Sequence, residues 1–312
     1  MAKGFLKNDI EEANRFLVER SYFSSIESTL HHHIERLRDE LAFRAKSSIY
    51  GFFHNLRSDL KLCGLANRVA KKNISDMTEA LRYSARAGYL LRLSGGEQYS
   101  GGYDCMHVFD LLVMSAVSDL KAINVLTSRF KAPFKNGHPH TILLCNAVYM
   151  ALNKHPDPDL ILRTIESSKP TKFFLSMFRC LAAVNNFDMN SFLTSLMELL
   201  KGNRRQDFHS VMEKAICIEA HAMVNLWNIR HSSKPIDLPT LELPWDTEFH
   251  EFVLNKPDAH LTGYNDIPTT LNTWIELMPS EINIDDILSE LNENPFKKLA
   301  RWIRIIYRNA NA

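Results

Sequence analysis

None of the twelve prolines precedes Pro133, so everything ahead of it can run as long uninterrupted helices. Strand signals are scarce too. Alternating Val/Ile/Thr runs joined by Asn-Gly turns are nearly missing, which argues against a sheet. The five cysteines, 63, 105, 145, 180 and 217, include no C-x-x-C pair and read as small core residues of a reducing compartment. The opening MAKGFLKNDIEEANRF has no apolar stretch of the kind a secretory leader needs. Apolar runs are short, and the longest, Ile142 to Leu152, is interrupted by Asn146, so no bilayer crossing is expected. Formal net charge is only +1, which gives no general pull toward nucleic acid or anionic lipid. A cytoplasmic protein without membrane attachment is the expectation.

Several chemistries are missing as well. The stretch LSGGEQ, beginning at Leu93, has the form that contacts a γ-phosphate in ABC-type ATPases. None of the eleven glycines is followed by Lys, so no phosphate-gripping G-x-x-x-x-G-K-[ST] loop accompanies it. It reads as a connector in which Gly95 and Gly96 end one helix and Asp104 starts the next. There is no G-x-S-x-G elbow and no H-E-x-x-H pair. Beside the triplet His31-His32-His33, Ile26, Leu30, Ile34, Leu37 and Leu41 define an apolar seam that leaves His33 at its edge and the other two near solvent. Zinc needs three or four convergent ligands, so a partly exposed helix is the simpler reading there, as a helix start is at His138-Pro139-His140. No cofactor and no metal are expected.

What is present is helical grammar. Hydrophobic residues make up 45% of 312, enough for a full-sized core. Asp157-Pro158-Asp159 looks like an N-cap and first turn. Pro170 opens a helix with Phe173, Phe174, Met177, Phe178 and Leu181 at three- and four-residue spacing, which Asn185-Asn186 breaks. Asp188 starts another, with Phe192, Leu193, Leu196 and Leu200 on one side and Gly202-Asn203 at its end. A longer helix is expected from Arg204 to about Arg230, and residues 142–152 should be the most buried helix. The hairpins beginning near His138 and Pro170 are offset by close to the tetratricopeptide period, although that consensus is not met. The fold class is all-α: an array of antiparallel helical hairpins, repeat-like but not a regular solenoid. Residues 1–74 form an N-terminal helical region, 75–234 a hairpin core, and 235–312 a Pro-rich connector with acidic helices, packed as one structural unit.

Charge is segregated along the chain. Residues 36–72 carry nine basic and three acidic side chains, whereas 237–293 carry thirteen acidic ones and only Lys256. The acidic stretch also holds Trp245, Phe249, Phe252, Tyr264 and Trp274, and aromatics beside one sign of charge suit a protein-binding patch. Separately, Arg204 and His209 have an R-x₄-H spacing that some all-helical ribonucleases place beside an RNA phosphate, although short motifs recur by chance.

The runs AINVLTSRF, TILLCNAVYMALNKHPDPDLILRTIES, FFLSMFRCLAAVNNFDMNSFLTSLMELLKGN, KAICIEAHAMVNL and LPTLELPWDTEF together resemble the all-helical bacterial immunity proteins of the family numbered forty-nine. The shared pattern is a short apolar helix (181–185), a turn with Asp188, an F-x₃-L-x₂-LL helix (192–200), an Ala-rich helix (215–226) and Leu243-Pro244. It covers roughly residues 75–255. The resemblance implies stoichiometric capture of a cognate polymorphic toxin and no catalytic residues. If the toxin is a basic nuclease-type domain, carboxylates would steer its approach, with no direct contact to nucleic acid by this chain. The residues read for that surface are Trp245, as a buried anchor, with Asp246, Glu248, Glu251 and Asp258. The competing reading is that this segment folds back on the basic stretch 36–72 and closes the domain. A general helical-repeat scaffold, or a ribonuclease using Arg204 and His209, are the functional alternatives.

Overall fold

The computed structural model describes residues 5–41, 45–94, 105–154, 170–207, 209–255, 264 and 267–292. Among these residues the regular structure is all helical, with fourteen α-helices, one 3₁₀ turn and no strand. The connector at 95–104, the helix expected after Asp157 and Asp258 lie outside the described residues.

The helices are α1 (Lys7–Glu19), α2 (Ile26–Leu41), α3 (Ala45–Lys71), α4 (Ile74–Leu93), α5 (Val108–Ala116), α6 (Leu120–Arg129) and α7 (Pro139–Ala151). They continue with α8 (Lys172–Asn186), α9 (Met189–Asn203), α10 (Val211–Ala215), α11 (Ile218–Arg230), α12 (Thr247–Asn255), α13 (Thr269–Leu277) and α14 (Ile284–Asn292). Their starts follow capping chemistry. The side chains of Asn73, Asp119 and Asp188 accept from backbone N–H groups three residues on, and Ser210 forms a reciprocal capping box with Glu213. Several ends reverse through left-handed residues other than glycine: Lys72, Ser118, Asn153, Phe187 and Met278. The helix expected to break at Asn185-Asn186 therefore runs through Asn186 and turns on Phe187, at φ 56°.

Tight turns make hairpins of α3–α4 and α8–α9, each pair packed along its length. Not all packing is sequential: α5 lies against α11, far along the chain. One continuous core runs from Ala13 on α1 to Ile287 on α14 and crosses both expected region boundaries. Phe178 and Phe192, read as core, are completely buried. The most buried helix is α5, where every residue but Phe109 is buried, and not α7, which leaves Ile142 and Met150 partly open.

The single helix expected from Arg204 to Arg230 is corrected to two. The Ser210 capping box starts α10, and Ile216 and Cys217 are extended. The Cys217 N–H leaves the helical ladder to donate to the Pro244 carbonyl at 2.9 Å. That bond ties the centre of the fold to the incoming closing segment.

The arginines held against the helical body by carboxylates include Arg86, Arg57 and Arg68. Arg86 on α4 makes a two-pronged contact with Asp119 and also donates to the Ile275 and Glu276 carbonyls of α13. Arg57 pairs with Asp110, whose carboxylate lies against α4 at Gly88, where a Cβ would have no room. Arg68 is the third, and it belongs to the closing segment.

Candidate partner-binding site

Residues 243–255 are where the sequence placed a partner surface. Asp246 precedes α12 and accepts from the Phe249 N–H at 3.1 Å, so it starts the helix. Both its carboxylate oxygens also accept from Arg68 on α3, at 2.7 and 2.9 Å. Arg68 gives a further hydrogen bond to Glu248 at 2.7 Å and one to the Lys72 carbonyl at 3.0 Å. The side chains of Arg68 and Asp246 are each only 4% exposed, so this is a fork-on-fork ion pair out of water. Burial alone would make the guanidinium easier to deprotonate, but its carboxylate partners outweigh that and hold its pKa above the ordinary arginine value.

Trp245 is also inside, 4% exposed, with its ring stacked on His221 of α11 at 4.0 Å and 15°. The Asp246 N–H donates to His221 Nε2 at 3.3 Å, and Phe249 meets the same imidazole edge-on. Burial, with a small contribution from His250, pushes the His221 pKa well down, and burial pushes His250 down to about 4.

The expected surface is therefore divided. Trp245 and Asp246 are used internally, because a buried ring and a buried ion pair close the segment onto α3 and α11. Glu248, with its side chain 56% exposed, and Glu251 are at the surface. The fold-back onto the basic stretch 36–72 is the arrangement observed, and Arg68 is the basic residue that receives it.

An acidic outer face remains. Glu242, Glu248, Glu251, Glu276, Glu281, Asp285 and Asp286 are exposed, and the described residues from 235 to 292 include no Lys or Arg. Helices α12 and α13 both rest on α4, and α14 rests on α13, so helices packed on the body carry most of these carboxylates.

The other candidate residues do not converge. Arg204 donates to Asp9 of α1 at 2.9 Å, whereas His209 is buried, faces Phe173 edge-on and lies 3.9 Å from Glu219. Burial lowers the His209 pKa. The two residues of the ribonuclease reading thus take different partners. His33 lies at 3.0 Å from Asp59 and is buried, and His31 is exposed. No group of three or more His, Cys, Asp or Glu among the described residues is placed to hold a metal ion.

Sequence reasoning passed over two features. His107, Cys145 and Tyr149 meet in the core, with His107 Nε2 2.9 Å from the Tyr149 hydroxyl and 3.6 Å from Cys145 Sγ; Phe130 and Phe134 also pack on the imidazole. Burial pushes the tyrosine hydroxyl's pKa far up. The second feature is an open groove of about 520 Å³ on the α8–α9 hairpin, floored by Ala182 and Ala183 and rimmed by the Arg179–Glu198 pair. Small residues at facing helical positions are the signal that would have found it.

No family model, curated protein or solved structure matches this chain. The likeness to the immunity family rests on the sequence pattern alone.

Proposed function

We propose that this protein is a stoichiometric protein-binding protein of the bacterial immunity type, acting in the cytoplasm on a toxin with a basic surface. The observation that carries the reading is the set of exposed carboxylates on α12–α14, Glu248, Glu251, Glu276, Asp285 and Asp286, in a segment whose described residues from 235 to 292 include no Lys or Arg. Clustered carboxylates speed encounter with a cationic partner and select against others. The role expected of the whole segment narrows to Glu248 and Glu251, because Trp245 and Asp246 are occupied inside the fold. The reading requires no cofactor, metal or catalytic residue, and the ribonuclease alternative gains nothing from a pair whose partners differ.

The test is kinetic. The chain is mixed with a basic nuclease-type toxin domain, taken from a neighbouring gene if one encodes it, and Glu251→Lys/Asp285→Lys is compared with wild type. Association should slow by roughly tenfold, with a shallower dependence on salt, while folding stability changes by less than ~0.5 kcal/mol. An unchanged rate and salt slope would remove the acidic face from the interface, and absence of any complex would remove the reading itself. The α8–α9 groove favours a second reading, a helical scaffold that takes peptides.

A further inference from the structure

We propose that residues 243–255 form a pH-sensitive clasp, released from α3 and α11 in mild acid by proton uptake at His221 and His250 while the rest of the helical body stays folded. The clasp does not depend on toxin binding. Its basis is one hydrogen bond. His221 Nε2 accepts from the Asp246 N–H, so that nitrogen carries no proton in the closed state. Protonation would turn the acceptor into a donor facing a donor, in a site where His221 is 1% exposed. The same imidazole carries the stacked Trp245 ring and the edge of Phe249, so displacement of this one ring disturbs three contacts of the clasp.

His250 adds to this from α12 itself. Its ring is 5.0 Å from Trp245 and 6.4 Å from His221, and its buried Nδ1 has no hydrogen-bond partner. A proton there would be unsolvated. On the elements that meet the two rings, the charged and titratable groups are Asp246, bonded to His221 through its own N–H, Arg68 of α3 and Glu248 of α12, which meet each other and Asp246, and Cys217 at the head of α11. Both carboxylates are engaged by Arg68, and His250 opposes the charging of His221.

Both histidines hold protons more weakly closed than open, the closed His250 near pH 4 and an open histidine near about 6.5. Closure is therefore at full strength above about pH 6.5 and is lost as pH falls toward 4. From pH 7.5 to 5.5 each histidine lowers the closed-to-open ratio about tenfold, and the two together about 100-fold. The clasp is suited to opening alone, because besides Trp245 and Pro244 it buries only Phe249 and Val253, about half the large apolar side chains that the α8–α9 hairpin buries.

Hydrogen exchange of the intact protein, corrected for intrinsic rates, reads the opening directly. Backbone amides of residues 245–255 should lose protection about 100-fold between pH 7.5 and 5.5, while those of α8 and α9 lose less than about threefold. His250→Leu should reduce the loss to about tenfold, and His221→Gln, which keeps an acceptor, should do the same. Should His221→Gln fail to fold, His250→Leu decides alone. The proposal is overturned if clasp protection is flat across this range, if it falls in step with α8–α9, or if His250→Leu retains the wild-type slope.

Discussion

The α8–α9 hairpin and the α12 clasp are both helical attachments to one core, yet different forces hold them. In the hairpin, Phe173, Met177, Phe178 and Leu181 from one helix and Phe192, Leu196, Leu199 and Leu200 from the other are buried. Each large apolar side chain removed from water contributes about 1.5–3 kcal/mol, so the hairpin is secured many times over. α12 has only Phe249 and Val253 to bury. Beside these the segment is held by the Trp245 ring on His221 and by polar contacts: Asp246 and Glu248 on Arg68, the Asp246 N–H on His221, and the Cys217 N–H on the Pro244 carbonyl. Apolar contacts tolerate changes in pH and salt, whereas a buried ion pair and a neutral histidine depend on the protonation of each member. The same core thus carries one element that should open only with global unfolding and one that can open by itself.

The largest effect expected from breaking this comparison lies on the apolar side. Phe178→Ala should cost about 3–5 kcal/mol in urea unfolding, because a fully buried ring leaves a cavity that the surrounding helices cannot collapse into. A loss below about 1 kcal/mol would mean that the hairpin is not held by its apolar face. A smaller effect sharpens the contrast. Asn73→Ala removes the cap of α4, whose side chain accepts from the Asp76 N–H at 3.1 Å, and should cost about 1 kcal/mol. Since a cap acts locally, amide protection in α12 should be unchanged by it. A clasp that loosened with the cap would be less independent than described.

Much of the fold was legible in the sequence, and the reason is visible in the hairpin. Apolar residues at three- and four-residue spacing, with Asp188 between two such runs, identify two helices and a turn without any long-range information. The break at Ile216 and Cys217 was not legible, because it is made by the carbonyl of the distant Pro244, and nothing local interrupts the pattern. The candidate site was half legible. Opposite charge in residues 36–72 and 237–293 signals attraction, but a count cannot tell an internal partner from an external one. Arg68 resolves it for Asp246, and Glu251 stays outside. His221 carried no signal, since a lone histidine in an Ala-rich helix looks the same whether it supports a tryptophan or faces solvent.

The central claim is that Arg68 and Asp246 hold the closing segment as an internal pair, and a double-mutant cycle measures it most directly. Arg68→Met, Asp246→Leu and the double variant are unfolded in urea at pH 7.5. Arg68→Met leaves the buried Asp246 carboxylate without its cation and should cost about 3–5 kcal/mol. Asp246→Leu leaves Arg68 only Glu248 and the Lys72 carbonyl and should cost somewhat less, while the double change should cost much less than the two combined. A coupling of at least about 2 kcal/mol is the predicted result. A coupling below about 0.5 kcal/mol, the size seen between sites that do not touch, would contradict the claim, because the two groups would then not meet in the folded protein.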